Sequence, residues 1–156
     1  MKQKITLGLT ILSLLLIGSC KKKDDSPAKS KTENLCSSPW ITTSMTISPA
    51  INIGGTLITD WYSQFEACEK DDKMKYESNK TGIYDEGATK CSAGDPQTEP
   101  FTWSFDLTET KITQDGETYD IIQLDESTFK ISVVYDGDDV GGTSGVKYTL
   151  TIVSKH

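Results

Sequence analysis

No arginine occurs in this 156-residue chain, and its one histidine is the terminal residue, His156. Arginine is the side chain that grips phosphate and carboxylate in a two-pronged fork. Its absence argues against nucleic acid and phosphorylated ligands. Charge points the same way: from Cys36 onward, 20 Asp and Glu stand against 9 Lys, a net charge near −11. Such a body repels a polyanion. Without an internal histidine, the usual Ser-His and Cys-His nucleophile arrangements are missing. Cys36, Cys68 and Cys91 are separated by 32 and 23 residues, which is not the paired short spacing of a zinc site. The expectation is a protein without catalysis, bound metal or cofactor.

Carboxylate pairs are present at Asp71-Asp72, Asp85-Glu86, Asp125-Glu126 and Asp138-Asp139. Neighbours along a strand point to opposite faces and carboxylates in turns are solvated, so none of these predicts an acid–base pair. The run Asp136-Gly137-Asp138-Asp139-Val140-Gly141 has the outline of a calcium loop. Its fifth position is Val140 and its twelfth is Lys147, neither an oxygen ligand, so a solvated hairpin turn is the better reading.

The first 35 residues have a different composition from the rest. Lys2 and Lys4 precede an apolar run from Ile5 to Ile17, and Gly18-Ser19-Cys20-Lys21-Lys22-Lys23-Asp24-Asp25 follows. A short positive segment, an apolar stretch too short for an ordinary membrane-spanning helix and two small residues make an export signal. Ile17-Gly18-Ser19-Cys20 resembles the lipobox of bacterial lipoproteins. That resemblance implies cleavage before Cys20 and lipid on its sulfur and new amino group, with enough acyl chains for stable anchoring. Lys23-Asp24-Asp25 resembles the signal that sends lipoproteins of one Gram-negative phylum to the cell surface. The expected location is therefore the outer membrane, more readily its outward face than the periplasmic one. Residues 1–19 are expected to be the signal peptide, 20–35 a lipidated flexible tether with little to bury, and 36–156 one compact domain.

In that domain the apolar residues recur with period two. Ile41, Met45 and Ile47, then Phe101, Trp103, Phe105 and Leu107, then Phe129, Ile131, Val133 and Tyr135, then Val146, Tyr148, Leu150 and Ile152 form four faces of half-buried antiparallel strands. Weaker strands are expected over 73–78, 82–85, 111–114 and 117–124. Turn sequences such as Asp115-Gly116 and Asp136-Gly137 separate them. Eight strands with tight links predict an all-β, eight-stranded antiparallel up-and-down barrel, with a β-sandwich as the alternative. One connection is long: residues 49–67 carry Ile51, Ile53, Leu57, Ile58, Trp61, Tyr62 and Phe65. Thr59 or Asp60 is placed to cap one or two helical turns there, and so apolar a loop is expected to fold over the barrel mouth.

Trp40 at the start of the first strand, Phe65-Glu66-Ala67-Cys68-Glu69-Lys70-Asp71-Asp72, Lys73-Met74-Lys75-Tyr76, Asn79-Lys80-Thr81-Gly82, Asp85-Glu86-Gly87 and Cys91 together resemble the small lipocalin-like domains of bacterial lipoproteins. The resemblance covers about residues 38–154; Ser38-Pro39 stands where the usual glycine would precede the tryptophan. Spacing alone leaves three pairings open among Cys36, Cys68 and Cys91. The resemblance implies an eight-stranded barrel and a Cys68–Cys91 bridge, with Cys36 left over. It carries no activity with it, since fold alone does not transfer function. The expected function is a membrane-anchored, non-enzymatic lipoprotein whose barrel binds a small apolar ligand, with Trp61, Tyr62 and Trp103 lining a partial cavity under the long loop. The alternative is a structural or interaction module with a filled core that presents loops to a protein or polysaccharide partner.

Overall fold

A computed structural model describes residues 28–156. The expected signal peptide, the expected lipid-bearing Cys20 and the expected tether as far as residue 27 lie outside the described residues. Nine strands follow one short helix: α1 (Lys31–Leu35), β1 (Trp40–Ile53), β2 (Thr56–Asp60), β3 (Lys73–Tyr76), β4 (Thr81–Asp85), β5 (Thr98–Phe105), β6 (Lys111–Gln114), β7 (Glu117–Leu124), β8 (Phe129–Asp136) and β9 (Lys147–Lys155). β1 and β3 to β9 pair in chain order, all antiparallel, and β9 returns to β1. The result is a closed eight-stranded up-and-down barrel, with β2 as an additional strand on the edge of β1.

Closure is uneven. β1 and β9 share seven residue pairs from Ile41↔Lys155 to Ser48↔Thr149. Only Trp40↔Met74 and Ile41↔Lys73 join β1 to β3. Beyond that short seam the same edge of β1 pairs with β2, from Thr46↔Asp60 to Ile53↔Thr56.

The long connection of residues 49–67 folds differently from expectation. β1 continues to Ile53 and turns back through Gly54 and Gly55, at φ +59° and +91°, the left-handed pair that a tight two-residue hairpin requires. Thr56 to Asp60 then pairs with β1, burying Ile58 against Ile51. A 3₁₀ turn at Tyr62–Gln64 follows. Here Asp60 acts as anticipated: its Oδ1 accepts from Ser63 N at 3.1 Å.

Two further side chains sit elsewhere than the period-two pattern predicts. The β1–β9 register slips between Thr42 and Ser44, and such a bulge inverts the facing of the residues beyond it. Trp40 and Thr42 therefore share the interior with Met45 and Ile47, and Ile41 faces outward. Leu107 is fully exposed because β5 ends at Phe105. Asp106 Oδ1 accepts from Thr110 N and Lys111 N at 2.8 Å each and closes a turn in which Leu107 has nothing to pack on.

The interior is filled at the end where α1 lies. Trp40, Tyr76, Phe101, Trp103, Ile112, Phe129 and Ile131 form one buried cluster with Leu35. Tyr76 meets Phe101, Trp103 and Phe129 edge-on at 5.1, 5.8 and 5.9 Å, a geometry favoured by the ring quadrupoles. α1 plugs this end. Ser30 and Glu33 form a reciprocal capping box, Trp40 Nε1 donates to Leu35 O at 2.8 Å, and Leu35 is 0 % exposed. Lys29 pairs with Glu126 at 3.0 Å in the β7–β8 turn, and Lys31 Nζ donates to Glu109 O in the β5–β6 turn. The capped helix thus lies inside the polar stretch whose composition suggests a tether as far as residue 35. One apolar side chain in register with the open base of the barrel is enough to dock it.

A second cluster of Ile47, Ile51, Ile58 and Tyr148, with Trp61, Val140 and Val146 against it, forms where β2 and the β8–β9 loop fold over β1.

Candidate functional site

The end of the barrel opposite α1 carries a cleft of about 300 Å³, at the low end of the range for small-molecule sites. Thr42 of β1, Met74 of β3, Tyr84 of β4 and Glu99 of β5 form its barrel side, and Phe65, Glu69 and Asp72 come from the segment between β2 and β3. Asp85 and Glu86, at the end of β4, complete the rim beside Lys73. The β3–β4 register sets Lys73 opposite Asp85, which carries Asp72 and Glu86 to neighbouring positions. Five carboxylates and one lysine surround the cleft.

The overhanging segment is fixed to the opposite rim at several points. Cys68 and Cys91 form a disulfide with Cα atoms 5.2 Å apart, the pairing that the resemblance implies; Cys36 is half-buried and free. Asp71 Oδ2 accepts from Ala88 N at 2.7 Å and Thr89 N at 3.0 Å, and Oδ1 accepts from the Thr89 hydroxyl at 2.9 Å. Gly87, at φ +66°, lies so close that a Cβ there would stand 2.3 Å from Asp71 O. Only glycine fits between the two segments. Gln97 Nε2 donates to Asp85 Oδ1 at 2.8 Å and to Gly87 O at 3.1 Å.

Protonation along the rim follows from these contacts. The Thr89 hydroxyl and the backbone N–H groups hold the Asp71 carboxyl below its ordinary value. Asp72 is pushed up to about 6, first by burial and then by Glu86, Asp71, Glu69 and Asp85. Its Oδ1 is enclosed and has no hydrogen-bond partner among the described residues. Tyr84 is raised above its usual range, chiefly by burial. Its ring lies 4.5 Å from that of Phe101, and its hydroxyl accepts from Gln114 Nε2, whose Oε1 accepts from Tyr76 at 2.6 Å. The wall of the cleft is therefore prearranged: an aromatic face held by hydrogen bonds that run down into the filled core.

Trp61, Tyr62 and Trp103 are not brought together. Trp103 belongs to the lower core, with Nε1 shared between Glu77 O at 3.1 Å and Thr81 O at 3.0 Å, and Lys80 Nζ lies 3.9 Å above its ring. It fastens the β3–β4 turn. Trp61 packs on the second cluster, and the Tyr62 ring lies 5.6 Å from that of Phe65 at a tilt of 49°, with Lys70 Nζ 5.3 Å from the Tyr62 ring centroid. None of the three lines the cleft; Tyr62 approaches it through Phe65. The cleft-lining residues that period and aromatic content miss include Asp72, Tyr84, Glu86 and Glu99. The available signal was the density of carboxylates flanking Cys68 and following Tyr84, which pairwise reasoning assigns to solvent; the disulfide and the strand register converge them. No protein-family model matches the chain, and no curated protein matches it significantly.

Proposed function

We propose that this chain is a lipid-anchored, non-enzymatic binding protein of the lipocalin-like lipoprotein kind, which holds a small molecule in the cleft at its barrel mouth. The observation that carries the reading is the opposition of the two ends. The chain enters through α1 at the plugged end, and the cleft opens at the other. An anchor on Cys20 followed by about ten tether residues reaches at most roughly 35 Å when extended, so the plugged end would face the outer membrane and the cleft would face away from it. A prearranged concave site with aromatic walls and a few polar groups is the kind of feature that binds small ligands. The absence of a nucleophile–base constellation in the sequence favours binding over catalysis.

The anchor is tested by feeding cells labelled palmitate and fractionating them. Label in the wild-type protein, and loss of both label and membrane association in Cys20→Ala, support it; an unlabelled protein or a membrane-bound variant defeats it. Display is tested by protease treatment of intact cells, where digestion before the outer membrane is broken supports the outward face.

A second reading has its own observation. β2 is a free sheet edge whose Leu57 is 70 % exposed, and an unpaired edge can take an extended strand from a protein partner. Loss of partner capture in a Thr59→Pro variant, with the cleft intact, would favour this reading.

A further inference from the structure

We propose that the cleft selects an organic cation, an amine or quaternary ammonium whose charged head sits among Glu69, Asp72, Glu86 and Glu99 and whose apolar body lies along Phe65, Met74 and Tyr84. This rests on the reading of the cleft as a small-molecule site and names the chemistry of what enters it.

The sign of the charge is set by the lining. Five carboxylates against Lys73, on a domain that is itself strongly acidic, repel an anion and concentrate a cation at the mouth. No protein donor meets Asp72 at its enclosed Oδ1, so the charge of this carboxylate is left for a cation in the cleft to balance, which a neutral apolar guest does not do. The rings supply the second contact, since an aromatic face attracts a cation that has shed part of its water. Tyr84 is well suited to this because Phe101 and Gln114 fix its plane.

The spread of the acids distinguishes an organic cation from a small metal ion. Among the described residues, the ligand-type atoms that converge within 4.8 Å are those of Glu66, Cys68 and Cys91, and the cleft carboxylates form no such group. Asp85 Oδ1 is already occupied by Gly87 N at 3.0 Å and Gln97 Nε2 at 2.8 Å. A hard cation asks for six or more oxygens at short range, and Phe65, Met74 and Tyr84 offer it nothing. A cation several ångströms across uses both surfaces. At roughly 30 Å³ per small polar unit, a cleft of about 300 Å³ accommodates on the order of ten non-hydrogen atoms, the size of an arylalkylamine.

The test compares probes of one shape and different charge on the mature, detergent-solubilised protein. Tyramine and benzyltrimethylammonium are the cations, 3-phenylpropan-1-ol the neutral probe, 3-phenylpropionate the anion and calcium chloride the metal. Saturable binding by isothermal titration calorimetry is expected for the two cations only, weakening several-fold between low and high salt. Glu99→Gln and Glu86→Gln are each expected to weaken the cations about tenfold while circular dichroism and urea midpoint stay near wild type, and two separate variants guard against one that misfolds. Equal binding of the alcohol and the cations, insensitive to both substitutions, overturns the charge selection and leaves the binding reading standing. Calcium binding with the amines silent also overturns it. Silence from every probe overturns the inference together with the binding reading on which it rests.

Discussion

Asp71 and Asp72 are chain neighbours whose carboxyl groups are driven in opposite directions. Asp71 is bonded to Ala88 and Thr89 across the rim and is held low. Asp72 turns into the cleft, lacks such donors and is raised to about 6. One strengthens the rim that the other loads with charge.

The raised group makes a stability prediction with a definite sign. Its folded value, about 6, exceeds the ordinary 3.8, so between these values the folded state binds more protons than the unfolded one. The stability it contributes is fully present below about pH 4 and is lost as pH rises through about 6. A shift of that size corresponds to ~3 kcal/mol if transmitted in full, and partial solvation reduces this to on the order of 1 kcal/mol. Asp72→Asn is expected to be more stable than wild type at pH 7.5 and indistinguishable at pH 4. Urea unfolding across that range checks it; a difference that does not change with pH would speak against the assignment.

Breaking the Cys68–Cys91 link should loosen the mouth more than the barrel. Cys68→Ala with Cys91→Ala is expected to cost up to about 3.5 kcal/mol on the loop-entropy account. Amide exchange should accelerate in residues 66–72 and 86–91 and stay slow in β8 and β9, which share eight residue pairs from Phe129↔Ser154 to Asp136↔Lys147. Uniform acceleration over all strands would show that the bridge supports the whole fold instead.

Trp103 sits in the buried core and is not among the residues that line the cleft. Trp103→Phe removes the donor shared by Glu77 O and Thr81 O and part of a buried ring, with an expected loss of about 2–3 kcal/mol. Ligand affinity should be unchanged under conditions where the variant is folded, and so should that of Trp61→Ala. Loss of affinity without loss of stability in Trp103→Phe would return this residue to the site.

The folded unit begins before Cys36. Leu35→Ala, at a fully buried position, should cost about 2–4 kcal/mol, and Ser30→Ala, at the helix cap, about 1 kcal/mol. Chemical denaturation measures both. A neutral Leu35→Ala would place α1 outside the cooperative unit.

Much of this fold was legible in the sequence, because the aromatics of β5 and β8 alternate without interruption and the Asp-Gly and Gly-rich turns separate the strands. β6 and β7 fall at 111–114 and 117–124 as the weak pattern indicates. What escaped were features set by contacts distant in sequence. A one-residue bulge turned Ile41 outward, docking of Leu35 into the barrel base ordered a polar segment, and Gly54-Gly55 made a hairpin of what reads as a loop. The cleft was illegible for the same reason: Asp72 and Glu99 are 27 residues apart and meet only through the pairing of β3 with β4 and β4 with β5.

Native mass spectrometry of the protein extracted from its own membranes decides whether the anchored barrel carries a guest. The expected spectrum is a lipid-modified chain beginning at Cys20 with a dissociable small molecule of basic character, lost in Glu99→Gln. An identical bare mass for wild type and variant would contradict it.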